Sequence, residues 1–116
     1  MRSIIYEKSF RFSLRIVKLY QYLQKTKRET VMSKQLLRCG TSIGANVAEA
    51  QHAQSRADFC SKLNIALKEA VETEYWLKLL YESDYLSERE FQSIFAGCSE
   101  IENILASIVR TLKNKK

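Results

Sequence analysis

The residue pair with the most suggestive chemical spacing is Glu49 and His52. A Glu-x-x-His pattern places a carboxylate and an imidazole on one side of a helix, as in carboxylate di-metal bundles. Such a site needs a second copy of the pattern and two further inward glutamates, whereas His52 is the only histidine of the chain. The same count removes a paired-histidine zinc motif. We therefore expect no metal site and interpret His52 as a polar residue at a turn.

The other reactive side chains form no catalytic pattern. No cysteine has a reason to lie beside the histidine, so nucleophilic catalysis is unsupported. No glycine-rich loop offers a phosphate cradle. We expect no catalytic residues, no cofactor and no enzymatic activity. The polar residues Asn46, Glu49, Glu69 and Glu72 are better explained as a network that fixes the register of neighbouring helices.

The three cysteines, Cys39, Cys60 and Cys98, are an odd number at wide spacing. Each falls within a predicted helix, so we expect buried free thiols, no disulfide framework and a cytoplasmic location. No apolar run reaches the roughly 18–20 residues that a transmembrane helix needs. The N-terminus also lacks the pattern of a secretion signal. We expect no contact with a membrane.

Phosphate binding is the chemistry that the sequence favours most. Residues 1–40 hold ten Lys or Arg against two acids, a net charge of +8 in a chain of net charge +6. The candidate nucleic-acid contacts are Lys8, Arg11, Arg15, Lys18 and Lys25 on the first helix, Lys34 and Arg38 on the second, and Arg110 and Lys113 on the last. Basic charge concentrated on one side is typical of a protein that binds a polyanion. The alternative is a solvated face that maintains solubility or meets an acidic partner.

Helical spacing sets where these cations lie. We call Lys8, Arg11, Arg15, Lys18 and Lys25 the basic stripe, since they recur at spacings of three, four, three and seven. Lys34 and Arg38 are one turn apart, and antiparallel packing of the second helix on the first would bring them beside the stripe. At one end of such a bundle, Arg2, Lys8 and Arg11 are expected to join Arg110, Lys113, Lys115 and Lys116.

Four helices are predicted by periodicity and by their start signals. The chain has no proline and only three glycines, which suits long helices with short connections. The first helix covers about residues 3–25. A capping box at residues 26–29 predicts a second helix over about 28–51, Ser55 is expected to cap a third that runs to about Ser83, and a capping box at residues 87–90 starts a fourth.

Two helices carry heptad seams, and we predict an antiparallel up-down-up-down four-helix bundle, all-α, as one domain over residues 1–116. The third helix repeats Phe59, Leu63, Ala66, Ala70, Thr73, Leu77 and Leu80, and the fourth repeats Phe91, Ile94, Cys98, Ile101, Leu105, Ile108 and Leu112. The first helix has two apolar rows, one of Ile5, Phe12, Ile16, Leu19 and Leu23 and one of Tyr6, Phe10, Val17 and Tyr20. This surplus, with outward apolar residues on the third helix, predicts a subunit interface and a homo-oligomer.

The centre of the chain resembles a known family. Residues 42–49, Ser-Ile-Gly-Ala-Asn-Val-Ala-Glu, resemble the Ser-Ile-x-Ala-Asn-Ile-Ala-Glu-Gly signature of the 23S ribosomal RNA intervening-sequence proteins, also called four-helix-bundle proteins. Gln35, residues 72–80 and residues 85–87 match the same pattern. Ala50 departs from it, because the family usually has glycine there, and this leaves the end of the second helix open.

The resemblance implies a small cytoplasmic bundle that assembles as a ring-like homopentamer. A related branch, the accessory variability determinants of diversity-generating retroelements, works with a reverse transcriptase and its template RNA through a basic surface. The family has no established catalytic residues. The function expected here is non-catalytic binding of nucleic acid, RNA before DNA, with a reverse transcriptase as a candidate partner. The alternative is a protein–protein scaffold with no direct nucleic-acid role.

Overall fold

The computed structural model describes residues 3–114, which form four helices with short connections. They are α1 (Ile4–Lys25), α2 (Met32–Ala50), α3 (Arg56–Glu82) and α4 (Glu88–Asn114). Each helix packs against the next along the chain, and α4 closes against α1, so α1 and α3 lie diagonally opposite. The bundle measures 49 × 21 × 21 Å, and no strand occurs among the described residues. The predicted antiparallel four-helix bundle is confirmed.

Three helix starts follow the side-chain chemistry of their caps. The hydroxyl of Ser3 accepts a hydrogen bond from the Tyr6 amide and begins α1, and the hydroxyl of Ser55 accepts one from the Asp58 amide and begins α3. At α4 the capping box is complete. The Glu90 amide donates to Ser87 Oγ at 3.1 Å, and the Ser87 amide donates to Glu90 Oε1 at 2.9 Å. Each contact satisfies an amide that the first turn leaves without a helical partner.

The predicted start of the second helix was wrong. Arg28 has a φ of 58°, in the left-handed region, so the helix cannot begin there, and α2 begins at Met32. The Glu29 carboxylate instead accepts hydrogen bonds from the amides of Val31, Met32 and Ser33. Burial alone would raise the pKa of Glu29, but these amide donors outweigh it and lower the pKa. A glutamate carboxylate thus caps α2, where a threonine hydroxyl was expected.

The two heptad seams supply nearly half of the buried apolar core, and α1 and α2 together supply a similar share. Along α3, the seam is buried from Leu63 to Leu80, with Phe59 half-buried at its start. Along α4, the seam is followed as far as Leu105, after which Val109 is buried and Ile108 only half-buried. A straight helix of 3.6 residues per turn drifts away from a strict seven-residue repeat, which accounts for this late shift. The end of the second helix, which the sequence left open, lies at Ala50.

Small residues set the distance between α1 and α2. A Cβ atom on Gly44 would lie 3.0 Å from Ser13 Oγ and 3.2 Å from the backbone carbonyl oxygen of Ser9. Ser9 and Ser13 therefore mark the side of α1 that faces α2. The hydroxyl of Ser9 donates to the Tyr6 carbonyl and that of Ser13 to the Ser9 carbonyl, so both polar groups are satisfied within α1. This close approach orients α1 and thereby fixes which of its sides meets α4.

Candidate nucleic-acid interface

The basic stripe lies along α4. Lys8 Nζ is 3.2 Å from Glu100 Oε2, and Arg15 reaches Ser93 farther along the same helix. On the other side of α1, Ser9 and Ser13 face α2. At 100° per residue, the exposed apolar residues Phe10, Leu14 and Val17 fall between the stripe and α2. The stripe is thus separated from α2 by an apolar band.

Arg15 is the best-anchored cation of the stripe. Its NH2 group donates to Ser93 Oγ at 2.8 Å, and its NH1 group donates to the Ser93 carbonyl oxygen at 3.5 Å. The guanidinium crosses over Gly97, where a Cβ atom would lie 3.2 Å from NH1. Both partners of Arg15 are neutral, so its positive charge is held in place without being compensated. A guanidinium has five N–H donors, so some stay available to a ligand.

The rest of the stripe points to solvent. Arg11, Lys18 and Lys25 are exposed, and none of them belongs to an ion pair formed within residues 3–114. Lys8 is paired with Glu100, but both side chains are about half exposed, and such pairs contribute little free energy. A phosphate can therefore replace that carboxylate at low cost. The stripe is about five turns long, and within residues 3–114 only Lys8 among its five cations has an ion-pair partner.

Arg38 does not join the stripe. It lies on the side of α2 that faces α3, where NH1 is 3.5 Å from Glu69 Oε1 and NH2 pairs with Glu72 Oε2. The indole N–H of Trp76 also donates to Glu72 Oε2 at 3.0 Å. The hydrogen bonds from Trp76 and Arg38 lower the pKa of Glu72, and the bond to Glu72 raises the pKa of Arg38. Glu69 and Glu72 thus connect α3 to α2 through Arg38, and their role in fixing the register of the helices stays a prediction.

The other two members of that predicted network differ from each other. Glu49 forms an ion pair with Lys62 of α3 at 3.0 Å, so it does link two helices. Asn46 donates only to the Ser42 carbonyl one turn earlier in α2, at 2.9 Å. His52 is exposed in the turn that follows α2, as predicted. Within residues 3–114, no three His, Cys, Asp or Glu side chains form a group that could hold a metal ion.

The remaining candidate cations lie at the ends of the bundle. Lys34 is exposed in the first turn of α2, at the same end as Lys25. Arg110 and Lys113 are exposed near the end of α4, where Arg56 of α3 donates to the Leu112 carbonyl oxygen. Lys8 meets α4 at Glu100, which is ten residues before Arg110, or about 15 Å along the helix. Arg2, Lys115 and Lys116 lie outside the described residues.

The seam between α1 and α4 is the least closely packed of the four and contains two clefts. The larger cleft has a volume of about 430 Å³ and the smaller one about 200 Å³, and Arg15 lines both. We call the larger one the α1–α4 cleft; it is lined by Arg15, Lys18, Leu19, Tyr22, Leu86, Arg89, Glu90, Ser93 and Ile94. Sequence reasoning missed Arg89 and Ser93 as candidates for this surface. Only the antiparallel register of α4 on α1 identifies them.

The thiols have no chemical role in this surface. Cys39 and Cys98 are buried, as predicted, and Cys60 is half-buried; all three are free. Burial raises the pKa of Cys39 to about 11, and burial likewise raises that of Cys98. Neither thiol therefore forms a thiolate at neutral pH. No helix within residues 3–114 is long and apolar enough to span a membrane.

These features define a class: all-α four-helix bundles with a basic face whose cations mostly lack ion-pair partners among the described residues. The sequence model of the 23S rRNA-intervening sequence protein family matches residues 1–107, and the chain belongs to that family. A solved structure, of a protein of unknown function from the S23 ribosomal protein family of Bacteroides thetaiotaomicron, is 55% identical with a TM-score of 0.90. That match covers 91% of this chain and 98% of the other. No curated protein matches this chain.

Proposed function

We propose that this protein is a non-catalytic, oligomeric nucleic-acid-binding accessory protein of the cytoplasm. The observation that carries the proposal is the basic stripe, where Arg11, Arg15, Lys18 and Lys25 have no carboxylate partner within residues 3–114. Cations placed along one helix without counter-charges match the repeating charge of a nucleic-acid backbone. RNA is the ligand to test first, because the resemblance implies a template RNA.

The contacts follow from the placement of each cation. The cations of the basic stripe are proposed to contact phosphates, namely Lys8, Arg11, Arg15, Lys18 and Lys25. Lys34 extends this surface at its Lys25 end. Arg38 is left out of the contact set because Glu69 and Glu72 already compensate its charge. Arg110 and Lys113 form a second, smaller basic site at the far end of α4. Asn and Gln are not clustered among the cations, so binding should depend weakly on sequence.

Assembly would multiply this surface. Phe10 and Leu14 on α1 are each 52% exposed, as is Val71 on α3. Such apolar side chains on two diagonal helices fit a head-to-tail contact that closes into a ring, and the resemblance implies five subunits. A ring carries identical stripes, so a long strand would bind several at once with a gain in avidity. A reverse transcriptase is proposed as the protein partner on the resemblance alone.

The test compares two double variants of equal net charge. Arg11→Glu/Lys18→Glu reverses two exposed stripe positions and leaves the Arg15 anchor intact, while Lys68→Glu/Lys78→Glu changes two exposed lysines of α3. Fluorescence anisotropy with a labelled RNA and DNA of equal length gives the affinities. We expect wild-type affinity to fall by orders of magnitude between about 50 and 200 mM salt. The stripe variant should not bind, whereas the control should bind nearly as well as the wild type.

The competing function is a protein–protein scaffold whose basic face only maintains solubility. It predicts no binding of either nucleic acid by the wild type at about 50 mM salt, or equal weakening by both double variants. Helicity and oligomer size, from circular dichroism and light scattering, must be unchanged in both variants. Binding that is insensitive to salt would also contradict phosphate contacts.

A further inference from the structure

The α1–α4 cleft has a lining unlike the rest of the basic surface. Its walls combine the cations Arg15, Lys18 and Arg89 with the single acid Glu90, so positive charge is in excess by two. Glu90 is also engaged by the Ser87 amide in the capping box of α4. The floor is apolar, with Leu19, Tyr22, Leu86 and Ile94. A ligand suited to this lining carries negative charge on one part and a flat or apolar group on another.

We propose that this cleft takes one unstacked nucleotide, so that the protein binds single-stranded nucleic acid in preference to duplex. The inference rests on the proposed function, because it concerns the same basic surface. The volume of about 430 Å³ lies within the roughly 300–1,000 Å³ of small-ligand sites. That is room for a nucleotide and not for a duplex. A base that is paired and stacked within a helix cannot enter such a cleft, whereas a splayed base can.

Each part of a nucleotide has a matching group. Tyr22 is half-buried, packs partly against the core and lines the cleft, so it offers an aromatic surface for a base. Stacking on an aromatic ring tolerates any base. Arg15 is held by Ser93 and keeps further N–H donors available for a phosphate. Lys18 of α1 and Arg89 of α4 line the two sides of the cleft and offer further phosphate contacts. The same Arg15 lines the smaller cleft with Arg11, which gives a continuing strand a path along the stripe.

The experiment measures the ratio of single-strand to duplex affinity by anisotropy, with a short oligouridine and a duplex RNA of the same length. Wild type should prefer the single strand by about tenfold or more, which is the effect of one stacked base. Tyr22→Leu should remove most of this preference, and Tyr22→Phe, which keeps the ring, should retain it. Arg89→Gln should weaken single-strand binding more than the control Lys68→Gln, which removes one exposed cation of α3 outside the cleft and outside the proposed contacts.

The inference is overturned by equal affinity of the wild type for both RNAs, by an unchanged ratio in Tyr22→Leu, or by loss of the preference in Tyr22→Phe. If these occur while Arg11→Glu/Lys18→Glu still abolishes binding, the proposed function stands and only the cleft assignment fails. If the wild type binds no RNA, both fail. If an acidic peptide shifted the amides of Leu86, Ser93 and Ile94 and uridine monophosphate did not, the cleft would take a peptide carboxylate, and the inference would be overturned.

Each variant is compared at matched folding. Tyr22 contacts the core, so thermal unfolding of Tyr22→Leu and Tyr22→Phe is measured alongside binding, at a temperature where both are folded. As a second readout that does not depend on the Tyr22 variants, uridine monophosphate is titrated into labelled wild-type protein. Amide chemical shifts should change at Leu86, Ser93 and Ile94 and not along α3. Changes confined to residues outside the cleft would count against the inference.

Discussion

Gly40 of α2 lies against Ile16 of α1 so closely that a Cβ atom on the glycine would be 2.9 Å from both Cγ atoms of the isoleucine. Ile16 is fully buried, so its side chain cannot turn out into solvent to make room. Real Cβ atoms do not tolerate such a separation, and either the rotamer of Ile16 or the spacing of the two helices would have to change. Gly40 is therefore needed for its missing side chain, although glycine disfavours a helix.

The first prediction concerns Gly40→Ala. Overpacking costs about 1–3 kcal/mol, and alanine returns about 1 kcal/mol of helix propensity. We expect a net loss in the free energy of unfolding of up to about 2 kcal/mol. Urea unfolding monitored by circular dichroism, at a fixed protomer concentration, measures it.

A double-mutant cycle isolates the contact behind that loss. In an Ile16→Ala background the clash is gone, so Gly40→Ala should there become stabilising, by about 1 kcal/mol. If Gly40→Ala had the same effect in both backgrounds, the loss would not come from contact with Ile16.

The second prediction concerns pH and the carboxyl pair Glu74 and Glu102, which links α3 to α4. Burial, a hydrogen bond to Glu74 and the charge of Glu74 raise the pKa of Glu102 to about 7. Ser99 Oγ of α4 donates to Glu74 Oε2 at 2.7 Å, so a second contact holds Glu74 against α4 beside Glu102. The folded protein therefore keeps a proton on Glu102 that the unfolded chain releases near its ordinary pKa of 4.5.

This difference in bound protons decides whether the free energy of unfolding rises or falls with pH. Between about pH 4.5 and 7 the folded state binds more protons, so this pair makes stability fall as the pH rises. Glu102→Gln keeps a donor to Glu74 and cannot ionise, so it should be more stable than the wild type at about pH 8, by about 1–3 kcal/mol. The two should be nearly equal near pH 4.5.

Urea midpoints across this pH range measure the effect. The control is Glu82→Gln, which changes an exposed glutamate at the end of α3, away from the carboxyl pair. This control also removes one glutamate carboxyl but leaves the proton on Glu102 in place. The stability advantage of Glu102→Gln over the wild type should grow with pH, whereas that of Glu82→Gln should not. A pH-independent difference between Glu102→Gln and the wild type would contradict the shared proton.

How much could be predicted from the sequence depends on whether neighbouring residues alone decide a feature. The burial of Leu63, Ala66 and Ala70 follows from 4-3 spacing within one helix, so the seam was predicted correctly. The start of α2 was not, because the Thr26–Glu29 pattern specifies side-chain types and says nothing about the positive φ of Arg28. The pattern correctly identified Glu29 as a capping residue. In the structure, however, its carboxylate accepts hydrogen bonds from the amides that follow it in the chain, and not from the amide of Thr26.

The basic stripe was predictable and its neighbours were not. The spacing of Lys8, Arg11 and Arg15 places them on one side of α1 in any arrangement. Whether α2 or α4 adjoins that side depends on the handedness of the four-helix bundle. Both hands bury the same apolar residues, so the apolar pattern cannot distinguish them. For this reason the sequence placed Arg38 beside the stripe, whereas the structure places it against Glu69 of α3. Ser93 could have been found only with that handedness known.

The third prediction separates Arg38 from the stripe. Arg38→Gln removes an exposed cation that two carboxylates already compensate, so RNA affinity should change little and its salt dependence should not change. Arg11→Gln removes an uncompensated cation and should lower the slope of log affinity against log salt by about 1. Salt titrations by anisotropy measure both slopes. A lower slope for Arg38→Gln would show that RNA displaces Glu69 and Glu72 from this arginine.

For the free energy of unfolding, we expect the opposite ranking: Arg38→Gln should lower it more than Arg11→Gln. Arg38→Gln loses an interhelical ion pair at a half-exposed site, which contributes about 1 kcal/mol or less. Glu72 would keep its hydrogen bond from Trp76. Arg11→Gln has no ion pair to lose among the described residues, so its urea midpoint should equal that of the wild type.

The last prediction concerns assembly, where two different apolar faces imply a head-to-tail contact. The face on α1 contains Phe10, Leu14 and Val17, spaced four and three apart, and Tyr6 stacks on Phe10 with ring centroids 6.4 Å apart. The face on α3 contains Val71 and Tyr75, which are 52% and 58% exposed and one turn apart. Because α1 and α3 are diagonal, each protomer offers the two faces in different directions. A head-to-tail contact that closes gives a ring.

Two charge-introducing variants at equally exposed positions test this contact. Leu14→Glu spoils the α1 face and Val71→Glu spoils the α3 face, so each alone should be a monomer of about 13.5 kDa by light scattering. Mixed in equal amounts, they should form a dimer and nothing larger, because one intact face of each kind remains per pair. Gln92→Glu, on an exposed position of α4, should keep the wild-type size. If either variant dimerised by itself, the contact would instead join identical faces. A wild-type monomer at micromolar concentration would refute assembly altogether.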